Sequence, residues 1–108
     1  MTLSDRIAAL SAPDRAMDAE IAAVLCGGNV DVEGRYWKPG VRGWSIAPLY
    51  TKAVDHALTL ASPALQAHVM GEAQKLIRRR GLYAVTVGKF TEALAIAICV
   101  VALRERGL

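Results

Sequence analysis

A run of eleven apolar residues near the end of the chain, Ala93 to Leu103, dominates the hydrophobic pattern. A helix of that composition has no side suited to solvent, so it must lie inside the fold. Thr91 is a suitable N-cap, and Arg104 and Arg106 suit the negative end of the helix dipole. The pattern therefore predicts a core helix from Thr91 to Arg106. Its apolar part spans about 16 Å, too short to cross a bilayer.

Two helices are predicted in the N-terminal third. The first covers residues 2–10, with Thr2 or Ser4 at its start. The proline and aspartate at positions 13 and 14 suit the first turn of the second helix, with Ser11 or Ala12 ahead of them. The paired glycines at 27 and 28 end it. Four apolar residues share one side of this helix and are expected in the core: Met17, Ile21, Val24 and Leu25.

Between Val30 and Ala47 the apolar period changes to two, which is typical of strands. Pro39-Gly40 suits the centre of a type II turn, because only glycine adopts the positive φ of the third turn position without strain. The pattern predicts a β-hairpin with its tip at this pair. Tyr36 on one arm is expected to pair with Trp44 and Ile46 on the core face.

The chain after Pro48 predicts two more helices. Thr51 is expected to cap the first, which runs to Ala61. The second begins with Pro63 at its first position and ends after three consecutive arginines at 78–80. A strand within Gln66 to Met70 is the alternative for part of this segment.

Leu82 to Val87 is rich in β-branched and aromatic residues and predicts a strand. Gly88 would then turn the chain into the C-terminal helix. Together the patterns predict a single α+β domain, residues 1–108, in which a small antiparallel sheet of about three strands packs against four to five helices.

Charge is distributed unevenly along the chain. The formal net charge is +3, but Met1–Gly34 holds six acids and two arginines, whereas Arg35–Leu108 holds eleven bases and four acids. The two segments could attract each other, the second could face a polyanion, or both could be solvated surface with internal pairing.

An apolar content of 54% excludes a disordered chain. The first residues carry an acid, Asp5, and lack the long apolar stretch of a secretory signal. Cys26 and Cys99 lie in apolar helical settings, which favours free thiols in a reducing compartment. The chain is expected to be cytoplasmic.

Three blocks, in order, carry a family resemblance: Ser11–Arg15 with Met17–Ile21, Ala47–Thr51 with Asp55–Leu58, and Thr91–Cys99 with Ala102–Arg104. They resemble the phage ABA-sandwich domain of small phage and prophage proteins, over about half the chain. The resemblance implies a sheet held between helices and a phage or prophage origin, and it carries over no catalytic residue. This chain differs in Ser62–Gly81, which is basic and helical in pattern where the family tends to carry strands with tryptophan.

Catalytic and metal-binding constellations are not expected. His56 and His68 lie on different predicted helices without a second ligand at metal spacing, and both cysteines belong to apolar faces. The chain has neither a nucleophile elbow nor a P-loop or dinucleotide-binding glycine pattern. We therefore expect no enzyme activity, cofactor or metal.

The candidate partner-binding surface combines basic and aromatic residues of the hairpin with the basic end of the following helix: Arg35, Trp37, Lys38, Arg42, Lys75, Arg78, Arg79 and Arg80. Such a mixture suits protein interfaces, where tryptophan and arginine are enriched, and also nucleic acid, where cations meet phosphates and rings stack on bases. The plain alternative is one tryptophan in the core and solvated arginines.

Size and the phage resemblance favour a non-enzymatic protein that binds a host or phage protein complex. An inhibitor of a bacterial defence system, such as an anti-CRISPR protein acting on a CRISPR effector, is the leading expectation. A nucleic-acid-binding accessory protein is the alternative, and a homodimer with a structural role is the third. The oligomeric state stays open.

Overall fold

The computed structural model describes residues 1–32, 34–79 and 87–108. Helices and strands follow one another in an α+β arrangement, with the strands in one central stretch of the chain. The elements are α1 Leu3–Ala8, α2 Arg15–Cys26, β1 Asn29–Val30, β2 Arg35–Trp37, β3 Trp44–Ile46, α3 Val54–Leu58, a 3₁₀ turn Pro63–Leu65, α4 Gln66–Arg79 and α5 Val87–Glu105. The predicted fold class is confirmed.

The C-terminal helix α5 is the centre of the core. It packs against α1, α3 and α4, and its apolar run from Leu94 to Val100 is buried throughout. It begins at Val87 rather than at the expected Thr91. None of the described helices is long and apolar enough to cross a membrane.

Helix α2 connects this helical layer to the sheet. Asp14 is its N-cap and accepts hydrogen bonds from the backbone N–H groups of Ala16 and Met17, so the expected caps at Ser11 and Ala12 were wrong. A carboxylate one residue before the helix reaches these donors directly. Gly27 ends α2 in the left-handed conformation, with φ of 72°.

The buried side of α2 differs from the expected one. Met17 and Ile21 are buried as predicted, but Val24 and Leu25 are exposed. The alanines at 19, 22 and 23 take the core positions instead. Small side chains there allow the sheet to approach the helix closely, and α2 packs against both β1 and β2.

The sheet is antiparallel in the order β1-β2-β3. Gly28, in the turn before β1, lies close to β2: an added Cβ there would lie 1.8 Å from the Trp37 carbonyl oxygen. Only glycine fits that position. Directly after β2, Val41 N–H donates to Lys38 O at 3.3 Å, and Gly40 has φ of 76°. This geometry confirms the predicted turn at Pro39-Gly40.

The segment after the sheet departs from two expectations. Thr51 is buried and does not cap α3, which begins after Ala53 without a side-chain cap. Residues 66–70 are helical, so the alternative strand there was wrong. Of the strand expected over 82–87, residues 82–86 lie outside the described residues and Val87 belongs to α5.

A buried polar network fixes this segment to α2. Asp18 accepts hydrogen bonds from the Thr51 N–H and hydroxyl at 2.9 Å each and pairs with Arg15 at 2.7 Å. Arg15 donates in turn to Pro48 O at 3.1 Å and Ala47 O at 2.7 Å. The side chains of α2 thereby hold the chain as it leaves the sheet.

Candidate functional site

The strand register places two kinds of residue on opposite faces of the hairpin. Tyr36 pairs with Ser45, and Trp37 pairs with Trp44. Side chains alternate along a strand, so Tyr36 and Trp37 must point to opposite sides. Tyr36 is buried against the helices, which makes the Trp37 side the outer face of the sheet.

The outer face is aromatic and apolar at its centre. Trp37 and Trp44 are 40% and 47% exposed, and Ile46 is 68% exposed. The backbone bond from Ala47 N–H to Gly34 O, 2.8 Å long, makes Trp37 and Trp44 a non-hydrogen-bonded pair, in which opposed Cα atoms approach most closely. Both tryptophans of the chain therefore stand side by side on one exposed surface.

The expectation that Trp44 and Ile46 join Tyr36 on the core face was therefore wrong. The connection between β2 and β3, residues 38–43, has an even number of members, so even-numbered residues of one strand face odd-numbered residues of the other. Tyr36 consequently cannot share a face with Trp44. The signal in the sequence was the parity of the positions. Trp44 and Ile46 are even-numbered like Tyr36, whereas a turn centred on Pro39-Gly40 sets even-numbered residues of one strand opposite odd-numbered residues of the other.

Arg35 is fixed on the outer face by two partners. Its guanidinium lies 2.9 Å from the Asp31 carboxylate and 4.3 Å from the centre of the Trp44 ring. Arg35 and Trp44 are diagonal neighbours across the strand pair, within reach of a long side chain. Its Nε is buried without a hydrogen-bond partner among the described residues. The charge of Arg35 is thus neutralised within the protein, and sequence reasoning had not identified Asp31 as its partner.

The other two hairpin cations leave the outer face. The Lys38 Nζ lies 5.9 Å from the ring centre of Tyr36, on the inner side. Arg42 is exposed in the connection before β3 and forms no ion pair with the described residues. Of the four expected hairpin residues, the structure therefore brings Arg35 and Trp37 together on one surface and separates Lys38 from them.

The basic end of α4 belongs to another part of the molecule. Helix α4 packs against α5 and α3, whereas the sheet packs against α2. Lys75 pairs with Glu72 at 3.2 Å, and Arg78 and Arg79 are exposed in the last turn. Arg80 lies outside the described residues. The expected single surface of hairpin and helix end consequently becomes two separate surfaces.

The acidic N-terminal segment is used in local structure. Asp5 completes the capping box of α1 with Thr2, and Asp14 caps α2. Glu20 pairs with Arg6 at 2.7 Å, and Asp31 pairs with Arg35. Asp5 also approaches Arg104 at 3.6 Å. Of the three readings of the charge asymmetry, internal pairing accounts for these acids, and most of their partners lie in the same segment.

Neither histidine is part of a metal site in the described structure. His56 Nδ1 accepts a hydrogen bond from the Leu49 N–H at 2.8 Å, and His68 lies 3.5 Å from Glu105. No group of three or more histidine, cysteine or acidic side chains in residues 1–32, 34–79 and 87–108 could hold a metal ion. Both cysteines are free thiols.

An open groove of about 410 Å³ runs between α4 and α5. It is lined by Leu76 and Val101 and by side chains of both charges, including Arg79, Arg104 and two glutamates. Because the lining holds two arginines and two glutamates, the groove has no net preference for an anion or a cation.

No protein-family model matches the chain, and neither a curated protein nor a solved structure is significantly similar to it. The resemblance to the phage ABA-sandwich domain therefore stays a prediction. The described sheet has α2 on its inner face, while its outer face carries exposed tryptophans.

Proposed function

We propose that this protein acts without catalysis, by binding another protein through the outer face of its sheet. The observation that carries the proposal is the exposed Trp37–Trp44 pair. Two tryptophans are large rigid anchors of the kind that dominate binding energy at protein interfaces. Neighbouring exposed apolar side chains on the surface of a small domain are characteristic of an interaction site.

The distribution of exposed apolar side chains supports the same surface. Of the twelve large apolar residues that the described structure leaves exposed, nine lie between Val24 and Leu49: two in the last turn of α2, and seven in the strands or in the segments beside them. The other three of the twelve are Leu65, Phe90 and Met1. Contacts with a partner would therefore be made at the sheet end of the molecule.

The electrostatics of the face favour a protein over a nucleic acid. Nucleic-acid affinity comes largely from cations that meet phosphates, but Arg35 is already paired with Asp31. Lys38 points to the other side, and the α4 arginines belong to a different layer. A neutral aromatic centre that includes one fixed arginine matches the composition of protein interface cores.

The class of partner rests on the phage resemblance. We propose a bacterial defence complex, such as a CRISPR effector, as the target, with the protein acting as an inhibitor. Occupying a functional surface of such a complex requires a rigid body and an exposed anchor. The buried α5 supplies the first and the tryptophan pair supplies the second.

The test uses the full chain, immobilised and exposed to a panel of purified CRISPR effector complexes and other defence proteins. Wild type should bind one member, and Trp37→Ala should abolish that binding while the melting temperature stays nearly unchanged. Arg79→Ala is a matched control, because Arg79 is exposed on the other surface. Binding that survives Trp37→Ala but is lost in Arg79→Ala would move the site to α4.

A gel-shift titration with single- and double-stranded DNA and RNA at low salt tests the nucleic-acid alternative. The proposed protein-binding role predicts no shift. A shift that weakens steeply with added salt and with Lys38→Ala and Arg42→Ala would replace the proposal with the alternative.

A further inference from the structure

The outer face of the sheet is a grid of two rows. Asn29 pairs with Trp37 and Trp37 with Trp44, while the Asp31 N–H donates to Arg35 O and Arg35 pairs with Ile46. Side chains of directly paired residues project to the same side of a sheet, so all six share the outer face. One row is Asn29, Trp37 and Trp44, and the other row is Asp31, Arg35 and Ile46.

This grid is complementary to itself. Two copies can be stacked with their outer faces together and a two-fold axis midway between them. If this axis runs perpendicular to the strands and between the two rows, it places each row against the other row of the second copy. Arg35 then faces the second copy's Trp37, and Ile46 faces its Trp44. Such isologous contacts require a surface that matches itself.

With this axis, no two side chains of like charge face each other. Asp31 faces Asn29 of the second copy, and Arg35 faces an aromatic ring, on which a guanidinium stacks favourably. Lys38 lies toward the inner side of the sheet. An axis parallel to the strands over β2 would instead place Arg35 against Arg35, so the arrangement across the strands is the one that charge permits.

We infer that, without another partner, two copies of this chain associate through their outer sheet faces about this axis. Two antiparallel sheets pack face to face at about 10 Å with their strands within about 30° of each other. The inference rests on the proposed function in that both use the same face. The dimer buries the tryptophan pair between the two copies, so a protein partner must displace the second copy to bind.

The experiment is sedimentation equilibrium of the full chain over a wide concentration range, with intrinsic fluorescence in parallel. Because the chain has two tryptophans and both lie on this face, the emission reports on the proposed interface. We expect a reversible dimer, with emission that shifts to longer wavelength on dilution. Ile46→Glu should raise the dissociation constant at least about tenfold, which is about 1.4 kcal/mol.

Leu65→Glu is the control for an added charge. Leu65 is also exposed but lies on the 3₁₀ turn before α4, so this variant should dimerise like wild type. Both substitutions are at exposed positions, and far-UV circular dichroism spectra that match wild type would show that neither disturbs the fold.

A mixing experiment tests the axis itself. Trp44→Lys and Ile46→Glu should each weaken self-association, but the two chains mixed should form a heterodimer. In it the introduced lysine of one chain faces the introduced glutamate of the other, and the second Ile46–Trp44 contact is kept. Failure of the mixture to associate would overturn the proposed arrangement.

A monomeric wild type at every concentration, or an Ile46→Glu variant that dimerises like wild type, would also overturn the inference. Neither result bears on the proposed function, which fails separately if no partner binds or if binding ignores Trp37. If both hold, dimer and partner compete, and dilution below the dimer dissociation constant should increase the apparent affinity for the partner.

Discussion

Asp18 on α2 accepts two hydrogen bonds from Thr51, a residue 33 positions further along the chain, each 2.9 Å long. One bond comes from the backbone N–H and the other from the hydroxyl. The carboxylate is 1% exposed and its second oxygen meets Arg15 at 2.7 Å. A single buried acid thus holds the segment after the sheet against the helix before it.

Replacement of this acid should destabilise the fold strongly. Asp18→Ala leaves the Arg15 cation and the Thr51 donors without their acceptor, and removing one partner of a buried ion pair costs about 3–5 kcal/mol. We expect a matching decrease in the free energy of unfolding measured with urea. Asp18→Asn keeps one acceptor oxygen and should lose less than Asp18→Ala, and an Asp18→Asn variant as stable as wild type would contradict a role for the charge.

Glycines at 28 and 71 should respond oppositely to alanine. Gly28→Ala would place a Cβ 1.8 Å from a backbone oxygen of β2, so the sheet must shift and the melting temperature should fall sharply. Gly71 lies inside α4 with nothing within 4 Å of an added Cβ. Gly71→Ala should therefore stabilise by about 0.5–1 kcal/mol. A thermal scan of the two variants beside wild type distinguishes them directly.

Truncation of Trp44 should cost far less than truncation of a core residue. Trp44 is nearly half exposed, and its stacking with Arg35 contributes about 0.5–1 kcal/mol. Ile98 is fully buried in α5, and Ile98→Ala should cost about 2–5 kcal/mol. If Trp44→Ala unfolds the protein as readily as Ile98→Ala, the outer face is part of the core and the proposed binding surface is lost.

Alkaline pH should destabilise the protein through Cys99. Burial in α5 raises the pKa of this thiol well above its ordinary value, mainly by desolvation. The folded state therefore keeps a proton that the unfolded state releases above about pH 9, so stability falls as pH rises, by about 1.4 kcal/mol per pH unit.

Urea unfolding of wild type and Cys99→Ala between about pH 8 and pH 10 measures this linkage. The slope should be shallower in the variant even though its absolute stability is lower. Burial also raises the pKa of the Tyr50 hydroxyl, but that group contributes only at still higher pH. Parallel pH profiles for the two proteins would show that Cys99 does not carry the effect.

Local chemistry explains which parts of this fold were predictable. The turn at Pro39-Gly40 and the end of α2 at Gly27 were found because each depends on the φ that glycine permits. The core position of α5 followed from its uninterrupted apolar run. In these places the determining residues lie within a few positions of each other.

Long-range contacts explain what was missed. Thr51 is a residue type that often caps helices, but its hydroxyl donates to Asp18, which lies far from it in the sequence on α2. Likewise, the alternation of the hairpin predicts that Tyr36 and Trp37 take opposite faces, but the side that Trp44 shares depends on the length of the connection. For the candidate site, Trp37 and Arg35 were anticipated, whereas Trp44 and Ile46 were expected on the wrong face and Asp31 was not identified.

Two features maintain the fold: the close approach of Gly28 to β2 and the Arg15–Asp18–Thr51 network. In the proposed role the outer tryptophans instead contact a partner, so the two sets of positions should vary differently among homologues. Substitution at the first set would disrupt the scaffold, so these positions should stay invariant even between distant relatives. The outer grid can change freely with whatever it contacts. An aspartate–arginine pair at 14 and 15, an aspartate at 18 and a double glycine at 27 and 28 would then be the signature by which such relatives are recognised.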